Sequence, residues 1–203
     1  MKAENNLRHN RYMTKQLKMV THLVKSQVQL LLTILALMWV VEAVDFILGG
    51  ALNAFGIRPR TIEGLIGIVL APFLHGDFAH LISNSIPFAA LGWLILARSR
   101  DEFWRVTSIV WVSSGVGAWL LGAANTVHIG ASGVVFGYFG FLLTRAFFDR
   151  HWLSAVIAII VIAAYGSLIF GVLPFQMGIS WQGHLFGASG GVFAARQLGK
   201  ARC

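Results

Sequence analysis

The chain has 203 residues, of which 57% are hydrophobic and 12% charged, with a mean hydropathy of +0.71. A soluble domain carries about 25% charged residues, so this composition excludes one and indicates a polytopic membrane protein with a single membrane domain. The net charge of +8 would suit a nucleic-acid surface in a soluble protein, but here it first has to be tested as a topology signal.

Residues 1–29 carry six bases, Lys2, Arg8, Arg11, Lys15, Lys18 and Lys25, with Met13, Leu17, Val20, Val24 and Val28 at helical spacing. They are expected to form a cytoplasmic segment, either an amphipathic helix on the membrane surface or a basic tail. Apolar runs follow at 30–48, 76–97, 103–122, 130–148, 151–171 and 181–198. Each is about the length that a spanning helix needs. The domain is therefore expected over 30–198, with 199–203 as a short cytoplasmic tail ending in Cys203, the single cysteine. The apolar stretch 62–75 is crowded with Gly64, Gly67 and Pro72, and 49–75 reads as a long loop dipping into the interface.

The basic residues support six spans. With the N-terminus inside, 14 of the 16 lie on the cytoplasmic side, and only Arg58 and Arg60 lie outside. A seventh span at 62–75 would put alternate clusters on the wrong side. The charge is thus mostly topology, and no nucleic-acid partner is expected.

In this topology spans 2, 4 and 6 all run from outside to inside. His80 and Asn84 on span 2, Ser132 on span 4 and His184 on span 6 then lie in one layer, a turn or two below the outer surface. Polar groups in a membrane are costly and mark function by default, although a serine or histidine alone is as readily a packing residue. Gly133 and Gly137 on span 4, and Gly183, Gly187, Gly191 and Ala195 on span 6, allow close backbone approach. That approach would bring Ser132 within hydrogen-bond reach of His184. The chemistry that follows is acyl transfer, with Ser132 as nucleophile and His184 as general base. His80, the Asn84 amide and the Ser132 backbone N–H are the available oxyanion donors. No carboxylate stands near His184 in sequence, so the expected arrangement is a dyad; Glu42, Asp45 and Asp77 read as interfacial. Metal binding by His75, Asp77 and His80 is the weaker alternative, because the i, i+5 histidines do not share a helix face. No metal and no cofactor is expected.

The residues Gly130-x-Ser132-Gly133, His75-x4-His80-x3-Asn84, and His184 followed by Gly187 and Gly191 resemble the rhomboid family of intramembrane serine proteases. The first loop, Gly56-Ile57-Arg58-Pro59-Arg60 with Gly64-Leu65-x-Gly67-Ile68 and Phe73-Leu74-His75-Gly76, resembles a bacterial version of the family. The resemblance implies an all-α, six-transmembrane-helix bundle in the bacterial inner membrane, with both termini cytoplasmic. It also implies cleavage of transmembrane protein substrates near the outer face of the lipid bilayer. Position by position it assigns Ser132 as nucleophile, His184 as base, His80 and Asn84 as oxyanion side chains, and His75 to a structural role. A catalytically inactive relative that binds client helices is the alternative, and the retained Ser132, His184 and Asn84 argue against it. Span 5 and Phe175-Gln176-Met177-Gly178 would correspond to a lateral gate and cap. There are two departures. Phe136 stands where many members have a tyrosine stacked on the histidine, keeping the ring without its hydroxyl. The Trp-Arg pair found in the first loop of some members is missing, which leaves the anchor of this loop unidentified.

Overall fold

The computed structural model describes residues 2–174 and 179–200, with side chains from Tyr12 to Gly199 in those stretches. The expected cap residues Phe175 to Gly178 and the terminal Cys203 lie outside the described residues. Among the described residues seven α-helices run in chain order, α1 (Lys2–Ile47), α2 (Gly64–Leu70), α3 (Phe78–Leu96), α4 (Arg100–Leu121), α5 (Ser132–Asp149), α6 (Trp152–Tyr165) and α7 (Trp181–Lys200). Short 3-10 turns cover Ala51–Phe55 and Ala71–Phe73, and a longer one, Gly166–Val172, extends α6.

α1 continues without a break from Lys2 to Ile47, because no glycine or proline interrupts the sequence before Gly49. Gly49 and Gly50 then take positive φ, and the Gly50 N–H donates to the Asp45 carbonyl at 2.9 Å, closing the helix in a Schellman-type turn. Glu42 and Asp45, expected at the interface, are buried. Asp45 Oδ1 accepts the Leu52 N–H at 2.6 Å, so its carboxylate holds the chain reversal after α1.

Among the described residues three helices qualify as membrane spans by length and apolarity, within Tyr12–Ile47, Phe78–Leu96 and Trp152–Val172. α5 and α7 carry more glycine than these, and both are largely buried. α5 is central, packed on α3, α4, α6 and α7, and its most extensive partner is α7. Leu81, Leu91, Ile95, Phe103, Val106, Val110, Tyr138 and Phe141 fill the core between α3, α4 and α5. The Tyr138 hydroxyl is satisfied there by Thr107 Oγ1 at 2.7 Å. α6 leaves most of its apolar surface uncovered, as a lipid-facing helix does.

The glycine stripes act at the α5–α7 contact. A methyl group on Gly187 would overlap the Gly133 carbonyl, and one on Gly191 would overlap the Gly137 carbonyl. Close approach is therefore built into both helices. Gly183 sits more loosely, against Ser114 and Ala118 of α4 and Ser180.

α2, with seven residues, is about 10 Å long and too short to cross a bilayer. The loop that contains it is anchored on α4 by two tryptophans and an arginine. Trp111 Nε1 donates to the Ile68 carbonyl at 2.7 Å, and Trp119 Nε1 donates to the Thr61 carbonyl at 2.8 Å. Arg60 Nη1 donates to the Leu120 and Gly122 carbonyls, whose helix ends there and leaves them without intrahelical partners.

At the opposite end of the bundle lies a buried ion network. Arg145, only 1% exposed, reaches Asp149 at 3.1 Å and Glu102 at 3.5 Å, while Arg98 reaches Asp149 at 3.0 Å and Ser154 Oγ at 2.7 Å. Arg98 and Arg145 are thus more than topology charges, since they join the ends of α3, α4, α5 and α6.

Candidate active site

The side chains expected as nucleophile, base and oxyanion donors fall in the first or second turn of their helices, and His75 precedes α3. Ser132 opens α5, His80 and Asn84 lie early in α3, and His184 lies early in α7. Asp77 sets the start of α3 by accepting the His80 N–H on Oδ1 at 2.7 Å. Before α5 the chain turns through Gly130 at φ +107, a conformation that L side chains rarely adopt. The Gly130 N–H donates to the Ala71 carbonyl at 2.8 Å. A Cβ at Gly130 would press on the His80 ring and approach Asn84 Nδ2, so the glycine lets the serine loop lie directly against both.

Ser132 Oγ and His184 Nε2 are 2.8 Å apart. His184 Nδ1 is 2.8 Å from the Gly171 carbonyl oxygen. A carbonyl only accepts, so Nδ1 carries the proton and Nε2 presents its lone pair to the serine hydroxyl. Gly171 therefore fixes the tautomer that a general base needs, the part an aspartate plays in a triad. Nothing in the sequence marks it, because every residue has a carbonyl. Phe136 lies flat on His184, with ring centroids 4.0 Å apart and planes 6° from parallel. The imidazole is thus held by a bond at its edge and a ring on its face.

His80, Asn84, Ser132, Phe136, Gly171 and His184 line one cavity of about 930 Å³. Asn84 is buried, and its Nδ2 has no hydrogen-bond partner among the described residues. An amide donor so placed is available to a developing negative charge. His75 is buried behind the site, edge-on to His80 with centroids 5.1 Å apart, and supports that ring. Gly133 and Gly187 meet below Ser132 in the α5–α7 contact. His128 also lines the cavity, although its position carried no signal in the sequence. Its backbone pairs with Ile57 through two 2.9 Å bonds, and its Nε2 lies 3.0 Å from Thr126 Oγ1. Burial lowers its pKa from the ordinary histidine value.

The Rhomboid domain family model matches residues 63–201, more than half of the chain and all of the helices that build this site. The chain belongs to the rhomboid family. An uncharacterized protein of Mycobacterium tuberculosis is 41% identical to this rhomboid over 176 residues, covering 83% of the chain and 73% of the relative. An uncharacterized protein of Mycobacterium leprae is 40% identical over 176 residues, 83% of the chain and 70% of the relative. A Bacillus subtilis protein provisionally named a rhomboid protease is 31% identical over 123 residues, 58% of the chain and 59% of that protein. With its family and its long apolar helices, this rhomboid is an integral membrane protein.

Proposed function

We propose that the chain is an intramembrane serine endopeptidase that cuts transmembrane helices near the outer face of the bilayer. The observation that carries this reading is the 2.8 Å Ser132–His184 contact in a histidine whose other nitrogen is tied to Gly171. His184 Nε2 removes the hydroxyl proton as Ser132 Oγ attacks the scissile carbonyl. His184 then gives that proton to the leaving amine, and an ester to Ser132 remains. In the second half-reaction His184 takes a proton from water, which attacks the ester, and returns it to Ser132 as the acid product leaves. Asn84 Nδ2, His80 and the Ser132 N–H, in the first turn of α5 where amides lack intrahelical partners, are the donors for the two oxyanions.

Six spans are supported by helix length. α4, α5 and α7, at 22, 18 and 20 residues, are about 27 to 33 Å long, near the thickness of a hydrocarbon core. The charge asymmetry supports cytoplasmic termini and an active site opening outward in a bacterial inner membrane. A substrate helix has to unwind locally before cleavage, because its scissile amide is otherwise hydrogen-bonded and shielded. Small, helix-weakening residues near the cut meet that need.

The test is covalent labelling with a fluorophosphonate probe, together with cleavage of a model transmembrane substrate in liposomes. Wild type is expected to be labelled and to cut, and folded Ser132→Ala to do neither. Unlabelled wild type would favour a helix-binding protein without activity, and cutting by Ser132→Ala would refute the dyad.

A further inference from the structure

The charge inventory of the catalytic cavity is very uneven. Among its described lining residues there is no lysine or arginine, and one carboxylate, Asp77. Glu42 and Asp45 are buried in α1 and do not line the cavity. Asp77 is exposed. Its Oδ1 is used as the helix cap, which leaves its negative charge facing the space a substrate would enter. A cap needs only an oxygen acceptor, and asparagine serves there as well as aspartate. The charge is therefore not required by the fold at this position.

The location gives the charge a target. Asp77 precedes Asn84 by seven residues on the wall formed by α3, about 10 Å along the helix axis. An extended peptide covers that distance in about three residues. A substrate strand whose reacting carbonyl sits by Asn84 and Ser132 then passes Asp77 about three residues toward the outer surface. We propose that Asp77 is a specificity residue that selects substrate segments carrying a lysine or arginine about three residues to the outer side of the scissile bond. The proposal rests on the protease reading above and adds the substrate class to it. A cation at that place also suits the membrane, because a long basic side chain reaches toward the surface while its backbone lies lower. With no lysine or arginine among the described lining residues to pair with it, the carboxylate attracts an incoming lysine and repels an acidic side chain.

The experiment uses the full chain in liposomes and model transmembrane substrates that differ only at the residue three positions outward from the cut, lysine in one and glutamate in the other. The readout is the ratio of kcat/KM for the two substrates within each enzyme, which cancels any general change in activity. Wild type is expected to favour the lysine substrate by about tenfold, and raised salt should shrink that ratio. Asp77→Asn, which keeps the cap, should bring the ratio to within about twofold of unity, and Asp77→Lys should invert it. An unchanged ratio in Asp77→Asn, or no preference in wild type, overturns the specificity assignment. Fluorophosphonate labelling separates the two levels. A labelled, cutting wild type without preference refutes only the role of Asp77, whereas an unlabelled wild type refutes the protease reading and this proposal with it.

Discussion

Phe136 and His184 are stacked ring on ring, 4.0 Å between centroids and 6° from parallel, one turn along α5 from the hydroxyl that the histidine contacts. The phenyl face does for this site what a tyrosine ring would do, without a hydroxyl to satisfy. Ring contacts of this kind contribute about 0.5–1.5 kcal/mol beyond burial. Phe136→Leu is expected to lower kcat by about twofold to tenfold with KM little changed, and Phe136→Tyr to keep most of the rate. Steady-state cleavage of one model substrate by the three enzymes checks this, and equal losses in both variants would contradict a role for stacking.

Asn84 Nδ2 is buried beside Gly130 with no hydrogen-bond partner among the described residues. If it serves the oxyanion, Asn84→Ala lowers kcat by about a hundredfold while labelling by a reactive fluorophosphonate persists more slowly. Two donors remain, so the loss should be smaller than in Ser132→Ala. A loss as complete as that of Ser132→Ala would show that Asn84 does more than donate one hydrogen bond.

Gly187 meets the Gly133 carbonyl at the point where α7 must approach α5 for His184 to reach Ser132. Gly187→Val is expected to destabilise the protein by about 1–3 kcal/mol or more, as overpacking does, and to abolish labelling. Gly166 has open space around its Cβ position, with Ile162 at 3.8 Å the nearest atom and an ordinary φ. Gly166→Ala is therefore the control and should leave the melting temperature in detergent within a few degrees.

Arg145 holds two carboxylates inside the bundle, at the end away from the cavity. Arg145→Met leaves Glu102 and Asp149 with one of their cations missing, and about 3–5 kcal/mol of stability should be lost. Thermal unfolding in detergent measures this. Restoring Tm by adding Glu102→Gln would identify the uncompensated charge as the cause.

Burial lowers the pKa of His128, in the loop before α5, in the folded state. Its contribution to stability is complete above the ordinary histidine range near 6.5 and is lost as pH falls below that value, because the unfolded chain then binds the proton more readily. His128→Gln is expected to make the acid limb of the stability curve shallower without changing stability above neutrality by more than a small offset. An identical acid limb in the variant would show that His128 is as easily protonated folded as unfolded.

The apolar runs after residue 76 became α3 to α7 because hydropathy and helical length are local properties of a chain. The alignment of His80, Asn84, Ser132 and His184 was legible for a related reason, since helix direction and a rise of about 1.5 Å per residue place side chains in depth before any packing is known. Glycine spacing likewise announced the close α5–α7 contact. The absence of glycine and proline before Gly49 is also a local property, and α1 runs through the basic segment without a break.

Tertiary structure alone decided which groups complete the site. The Gly171 carbonyl that orients His184 has no side-chain signature, and whether it lies against Nδ1 depends on how the turn after α6 folds back over α7. The loop anchors Trp111, Trp119 and Arg60 bond to backbone carbonyls, which no residue pattern specifies. Arg98 and Arg145 count in the sequence as two more positive charges, and only the packing of four helix ends turns them inward onto Glu102 and Asp149. The chain's sequence determined where its polar groups stand along each helix, and the rotation and approach of the helices determined what those groups touch.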